Sequence, residues 1–427
     1  MNYAHAFDVT ILGGGMITEI QVLPSIYQMQ RTGVIDEVSV CALEARPLEK
    51  LAQDETLKSA FPGHSFTPYP DYRSVSKDKR FPDLYKKVVA DMEPRNIVII
   101  ALPDQLHYDA AMYALEHNQH ILCVKPLALK HEHALHIEKL AYERGLFVGI
   151  EYHKRFDDRV GMARQKYRAG LLGEFRLGMA TLIEPWYYRD SNFQNWCTVE
   201  NSDMFTYIGC HYVDQVHMIT GLLPTRVSVY GSVEIYPNGN KGYLWTNARV
   251  IWENGASLAV LNGMGYPNVA AGGNSQGICL FTQGDSEGGL IFHDDQYRGV
   301  KHSYIKKGNA PGESYYNEPS PDYFKLIERG GPGLTAVGYG FRSIEGIVNA
   351  IYRVEKESAD LPDVKKLSGY QKTIKTIDAE GIIATPANSA YNELVVEAGR
   401  MSILNGGRDV MIEYGEKPHA RFRELSE

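Results

Sequence analysis

The sequence predicts an α/β protein: a doubly wound parallel sheet at the N-terminus, then an α/β domain with a large open, mainly antiparallel sheet. Three observations carry this. Short apolar β-rich runs alternate with helix-period segments from residue 7 to about 150. The first run ends in a glycine-rich turn that opens a helix. From about residue 155 the pattern changes to successive β-type runs separated by Gly, Asn and Pro turns.

Taken in order, Phe7-Asp-Val-Thr-Ile-Leu12 is a strand that runs into Gly13-Gly14-Gly15-Met16-Ile17-Thr18, and a helix pattern continues to Arg31. Strand, glycine turn and helix are the context of a Rossmann dinucleotide site. Gly13 permits the tight turn and Gly15 lets the backbone approach a pyrophosphate. The helix start at Met16 and Ile17 offers free amides to the phosphate charge. Thr18 stands where the fingerprint has its third glycine. The second strand, Val38–Leu43, ends on Glu44. An acid there is placed to bond the adenosine ribose hydroxyls and to repel a 2′-phosphate, which favours NAD. Arg46, two residues on, keeps NADP open.

Residues 62–82, rich in Pro, Tyr and charge, read as loops and short elements. The buried strand Asn96–Leu102 closes on Pro103-Asp104-Gln105-Leu106-His107. Leu102, Pro103 and His107 fall on the cofactor side, His107 as a helix-start cap and packing residue there. A helix from Tyr108 to His117 leads to Ile121-Leu-Cys-Val-Lys125-Pro126. The apolar strand delivers Lys125 to its C-terminal end, where open α/β sheets place their ligands, and Pro126 restricts the lysine to an extended pose. A strand-capping lysine in solvent is the alternative. A helix to Arg144, capped by Gly145, precedes the strand Leu146–Ile150, which closes on Glu151-Tyr152-His153-Lys154-Arg155-Phe156. Residues 1–152 are expected to form the first domain and 153–427 the second, with the last helix packing back on the first.

The second domain begins with a helix, Arg159 to Ala169. Strand-like runs follow at 175–184, 225–236, 244–253, 256–264, 277–283 and 288–293, then helices at 342–357 and 387–405, and a last strand at Val410–Ile412. Between the first two runs, residues 184–196 (EPWYYRDSNFQNW) are aromatic, polar and without period. Trp186 suits stacking against the CH face of a sugar ring; a packed subunit interface is the alternative.

The totals narrow the function. A net charge of −8 with no basic run argues against nucleic acid or an anionic membrane. No apolar run reaches the roughly 20 residues of a membrane span. The strand starting at residue 7 leaves no room for a signal peptide. Five scattered cysteines without a CxxC pair suit reduced thiols in the cytoplasm rather than a disulfide frame or zinc site. His131, His133 and His136 lack a partner at metal spacing and read as an exposed helix face, so no metal is expected.

These pieces together resemble the Gfo/Idh/MocA family of nicotinamide-dependent oxidoreductases, over essentially the whole chain. The carrying residues are Ile11–Thr18 with Leu23-Pro24, Ala101–His107, Val124-Lys125-Pro126, Tyr152–Phe156 and Gly209-Cys-His211-Tyr-Val-Asp214 with Gly221. The resemblance implies a sugar, glycoside or cyclitol as substrate and assembly as a homodimer or homotetramer through the C-terminal sheet. It gives Lys125 and His211 the hydroxyl proton, and brings Tyr152, His153, Arg155, Trp186, Asp203, Tyr207 and Asp214 to the substrate side. A hydrogen-bonded core histidine is the alternative for His211, and a structural helix carboxylate for Asp214. Three departures stand out. Val124 replaces the family's glutamate before the lysine, Tyr207 replaces an aspartate four residues before the histidine, and His153 replaces the commoner asparagine. The chain therefore reads as an NAD-dependent dehydrogenase acting on a secondary hydroxyl. An NAD-dependent glycosidase that oxidises C3 transiently is the runner-up, and a non-catalytic nucleotide-dependent sugar sensor ranks last.

Overall fold

The computed structural model describes residues 6–270, 273–285, 287–294, 302–303, 316–317 and 323–424. The chain divides into two compact units. One holds residues 1–127, 132–156 and 322–388, and the other holds 128–131, 157–321 and 389–427.

In the first unit, strands β1 (Phe7–Leu12), β2 (Ile35–Cys41), β3 (Thr67–Tyr69), β4 (Ile97–Ile100), β5 (His120–Val124) and β6 (Val148–Glu151) form one sheet in the order β3-β2-β1-β4-β5-β6. All neighbours pair in parallel. The order reverses between β1 and β4, so the turn after β1 lies at the switch point where such sheets bind ligands. β4 is buried along its whole length, as expected of a strand covered on both faces. Two further helices, one of them left with the second domain by the sequence reading, belong to this unit. Tyr339–Ser358 turns Ile344, Ile347, Val348, Ile351 and Val354 into the same core as β1 and β2. Gly149 in β6 permits that approach, since a Cβ there would lie 2.5 Å from Ile347. The second helix, Asp363–Glu380, was not anticipated; it buries only Thr373, Ile374 and Ile377, so no helical period shows in its sequence. The last helix, Tyr391–Ile403, belongs to the other unit.

The second unit is built on an eight-stranded sheet. Its central strands are β7 (Glu174–Pro185), β8 (Pro224–Ile235), β9 (Lys241–Trp252), β10 (Ser257–Tyr266), β11 (Ser275–Gln283) and β12 (Gly288–Asp294). The order is β12-β11-β7-β10-β9-β8, extended by Val410–Glu413 and His419–Phe422. Only β10 and β7 run parallel, so the sheet is mixed and mainly antiparallel. Its inner face buries Val227, Val229, Val250, Leu258, Val260, Leu182 and Leu280. Its outer face leaves Leu177, Met179, Phe281, Leu290 and Phe292 exposed. Among the described residues no helix is long and apolar enough to cross a membrane.

A half-buried ion-pair network in the first unit ties helix Tyr339–Ser358 to the sheet. Glu355 accepts from Arg95 Nε and from His120 Nε2, each at 2.9 Å, while His120 Nδ1 accepts from the Phe147 amide at 3.0 Å. Burial pushes the His120 pKa down, so the ring donates as the neutral form. Burial also opposes ionisation of Glu355, yet the bonds from His120 and Arg95 outweigh it and hold the carboxyl at about 2, against an ordinary 4.5. A depressed folded-state pKa gives stability that is complete above the unfolded value and lost as pH falls toward the folded one. In urea unfolding the wild type is therefore expected to lose roughly 2 kcal/mol between pH 5 and pH 2 that Glu355→Gln does not lose, since the variant never had it. Parallel pH curves for the two proteins would contradict this.

Candidate functional site

The glycine turn follows from backbone geometry. Gly13 has φ +111°, and a Cβ there would stand 2.1 Å from the Ala101 carbonyl oxygen. Its amide donates to Cys41 O at 2.8 Å, and Ala101 N donates to Leu12 O at 2.8 Å, so β1 is held between its neighbours to its last residue. Thr18 does more than replace a glycine: it is fully buried, and its hydroxyl donates to Gly13 O at 2.7 Å, closing the turn. Gly15 is exposed and a Cβ there would meet nothing within 4 Å. Open ground thus lies in front of the first helical turn, where Met16 and Ile17 are half-buried. This cradle fits a pyrophosphate on free amides.

At the end of β2, Glu44 starts the helix Ala45–Gln53 in extended conformation, with Arg80 Nε 3.6 Å from its carboxylate. Arg46 turns its guanidinium to Asp78 through Nε at 3.0 Å and Nη2. Both side chains are exposed, so this is a surface ion pair. Beyond β4, Leu102 and Pro103 are half-buried. His107 is fully buried, with Nε2 2.8 Å from Leu102 O and Nδ1 2.7 Å from Pro126 O. It therefore joins the segment after β4 to the segment that carries Lys125. Lys125 is half-buried directly after β5, and its peptide bond to Pro126 is cis.

β6 ends beside it, Val124 and Glu151 being register partners. Tyr152 and Arg155 are buried, with the Arg155 guanidinium 5.9 Å from the Tyr152 ring and Nη1 3.4 Å from Asn388 Oδ1. His153 packs on Tyr339 and Tyr323, and its Nδ1 lies 3.3 Å from Glu151 Oε2. Sequence reasoning overlooked the group behind it. Glu151 is 2% exposed, and its Oε1 accepts from Gln21 Nε2 at 2.7 Å and Ser343 Oγ at 2.6 Å. Tyr323 Oη donates to Gln21 Oε1 at 2.8 Å. An acid at the last position of a buried strand was the one visible signal.

The second unit carries the remaining residues. The Arg189 guanidinium lies 3.9 Å from the centre of the Trp186 ring, and Trp186 keeps about half its surface exposed. Tyr207 packs edge-on against Phe193 and Trp196. Asp203 is buried: one oxygen accepts from Thr206 N at 2.8 Å, the other from Thr206 Oγ1 at 3.0 Å and Arg400 Nη1 at 2.9 Å. Its carboxylate thus anchors the π-helical turn Phe205–Gly209 that opens the helix Cys210–Thr220. His211 lies in the first turn of that helix, 4% exposed. Asp214 accepts from Tyr391 Oη at 2.9 Å. Gln215, one turn after His211, is 1% exposed, and neither amide atom has a hydrogen-bond partner among the described residues. Nothing in the sequence marked it. The exposed-face reading fails for His131, which is buried with Nδ1 3.0 Å from Ala390 O, because the helix start packs against the chain near residue 390.

Residues 7–152 match the family model described as an oxidoreductase family with an NAD-binding Rossmann fold, Gfo/Idh/MocA. A 2,7-anhydro-N-acetylneuraminate hydratase of Escherichia coli is 28% identical over 134 residues, 31% of this chain and 36% of that protein. A D-glucoside 3-dehydrogenase of the same organism is 25% identical over 131 residues, 30% of this chain and 36% of that protein. The matched segment thus spans little more than a third of these relatives. The crystal structure of a myo-inositol 2-dehydrogenase from Lactobacillus plantarum superposes with a TM-score of 0.61 at 16% identity, covering 96% of this chain and all of that one, which shows a shared fold.

Two glycine variants separate fold from binding. Gly13→Ala is expected to cost several kcal/mol, through positive φ and the collision with Ala101. Gly15→Ala should leave thermal stability within about 0.5 kcal/mol of wild type yet weaken NAD at least tenfold, because the methyl occupies the cradle. Thermal unfolding with nucleotide titration reads both, and unaltered NAD affinity in Gly15→Ala would place the pyrophosphate elsewhere.

Proposed function

We propose, because residues 7–152 match the Gfo/Idh/MocA oxidoreductase family model with its NAD-binding Rossmann fold, that the protein is an NAD-dependent dehydrogenase. It acts on one secondary hydroxyl of a sugar, glycoside or cyclitol. The observation that carries this reading is Lys125, an ammonium half-buried at the C-terminal end of β5 in a sheet whose glycine turn suits a dinucleotide. Similarity to a glucoside dehydrogenase supports the substrate class.

Bound NAD would supply the hydride acceptor, held by Gly13, Gly15, the amides of Met16 and Ile17, Glu44 at the ribose, and Leu102 and Pro103. Loss of hydride from a carbinol carbon must be matched by loss of the hydroxyl proton, and groups that titrate near neutrality do this best. Lys125 polarises the hydroxyl oxygen and His211 takes the proton, with the Nδ1 and Nε2 positions of imidazole suited to acceptance and relay. Tyr152, Arg155, Tyr207 and Asp214 are assigned to the ring hydroxyls, and Trp186 to its CH face. Asp203 acts from behind, holding the turn before His211.

Assembly as a homo-oligomer is supported by the outer face of the second sheet. Leu290, Phe281 and Leu177 form one cross-strand row, and Phe292, Cys279 and Met179 the next. Large apolar patches in contact with water mark interaction surfaces. A second reading, the NAD-dependent glycosidase, is favoured by similarity to a hydratase, whose overall reaction moves water rather than electrons.

Incubation of the protein with NAD and a panel of cyclitols, free sugars and aryl glycosides is expected to yield stoichiometric NADH with the glycosidic bond intact. Lys125→Ala and His211→Ala should each lower kcat by about 10²–10⁴-fold. Release of the aryl group without net NADH would replace this reading by the glycosidase. In light scattering, Phe281→Asp with Phe292→Asp should reduce the particle to a single chain of 47.9 kDa; an unchanged mass would move the interface elsewhere.

A further inference from the structure

We propose that Arg80 is a specificity-determining residue of the dinucleotide site. With Arg46 it makes a paired guanidinium seat for a 2′-phosphate, and the carboxylate of Glu44 alone keeps the site on NAD. The inference deepens the NAD reading and rests on it, and its geometry lies wholly within the first unit.

The end of β2 meets the glycine turn on one side. A Cβ on Gly14 would lie 3.2 Å from Pro47 and 3.5 Å from Ala42, so the residues after β2 abut the cradle. On the other side, the chain that follows β3 folds back over the same point. Phe81 N donates to Leu43 O at 2.8 Å and Arg46 N donates to Lys77 O at 3.2 Å, which fixes residues 77–81 against residues 43–46. These two backbone bonds deliver Arg80 to Glu44, with Nε 3.6 Å from Oε1. Arg46 donates from Nε to Asp78 at 3.0 Å, and Lys77 Nζ lies 2.6 Å from Glu49. The hydrogen bond to Asp78, and after it the charges of Asp78, Glu44 and Glu49, push the Arg46 pKa up, so Glu44 acts on both guanidinium groups. Three carboxylates, Glu44, Glu49 and Asp78, thus answer three cations, Arg46, Lys77 and Arg80, around one strand end.

Exposure decides which of these charges matters. The side chains of Arg46, Asp78 and Arg80 are 61%, 68% and 69% exposed. Ion pairs in water contribute little, and a planar guanidinium exchanges a lone carboxylate readily for a phosphate that accepts two bonds at once. Glu44 is different. It precedes the helix Ala45–Gln53 in extended conformation, and its side chain does not cap that helix. Its carboxylate suits ribose hydroxyl donors and repels a phosphate monoester, whose charge is about −1.5 to −2. With Glu44 neutral, Arg46, Lys77 and Arg80 outnumber Glu49 and Asp78. The start of the helix Ala45–Gln53 adds its dipole in the same sense.

The test is calorimetric titration of the full chain with NAD, NADP, 5′-AMP and adenosine 2′,5′-bisphosphate. Wild type is expected to bind NAD about tenfold or more tightly than NADP. Glu44→Gln keeps the shape of the side chain and removes its charge. It should reverse the preference by about tenfold or more, and adenosine 2′,5′-bisphosphate should overtake 5′-AMP in the same way. Adding Arg80→Ala to Glu44→Gln should cost about tenfold of the NADP affinity gained. Raised NaCl should weaken NADP more steeply than NAD in Glu44→Gln, because the new contacts are exposed charges. Thermal unfolding without nucleotide checks that each variant is folded. A Glu44→Gln protein that still prefers NAD overturns Glu44 as the gate. One that gains NADP and keeps the gain without Arg80 overturns the role of Arg80. Both results leave NAD binding by wild type, and so the dehydrogenase reading, in place. A wild-type protein that binds neither dinucleotide defeats that reading and the proposal together.

Discussion

A carboxylate removed from water has to be given hydrogen-bond donors, and Glu151 collects its donors from parts of the chain 130 and 192 residues away. That requirement organises the first unit. It brings the helix after the glycine turn, the end of β6 and helix Tyr339–Ser358 to one point. The last residue of a buried strand thereby becomes the support for everything projecting past the carboxyl edge of the sheet. The side chains concerned, Gln21 and Ser343, are fully buried and uncharged.

His107 plays a comparable part along the same edge. Its two ring nitrogens reach the carbonyls of Leu102 and Pro126, so the segment after β4 and the segment after β5 share one buried side chain. Lys125 inherits its place from this contact as well as from its strand. In the second unit the same economy is seen at Asp203. Asp203 gives its carboxylate to Thr206 and Arg400.

Much of the architecture was legible because local patterns carried it. Apolar runs of strand length, a glycine turn and helix caps located the strands of both sheets within a few residues, apart from the edge strands Thr67–Tyr69 and His419–Phe422. What escaped has a physical reason in each case. Helix Asp363–Glu380 buries too few residues to show a period. The return of residues 322–388 to the first unit depends on which hydrophobic face finds which partner, and a pattern of burial does not name its partner. His131 looked like part of a polar helix face, yet its ring is taken in by the Ala390 carbonyl far along the chain.

The sequence by itself determined the fold class, the nucleotide turn and the residue types available for proton transfer, because each is written in neighbouring residues under steric and periodic rules. Only the tertiary structure decided how those residues are used. It made Thr18 the latch of the glycine turn, bound Arg46 to Asp78, turned Asp203 to a structural task, and set His153 against Glu151. These outcomes depend on hydrogen bonds and burial between distant segments, and such pairings exist only once the chain has closed on itself.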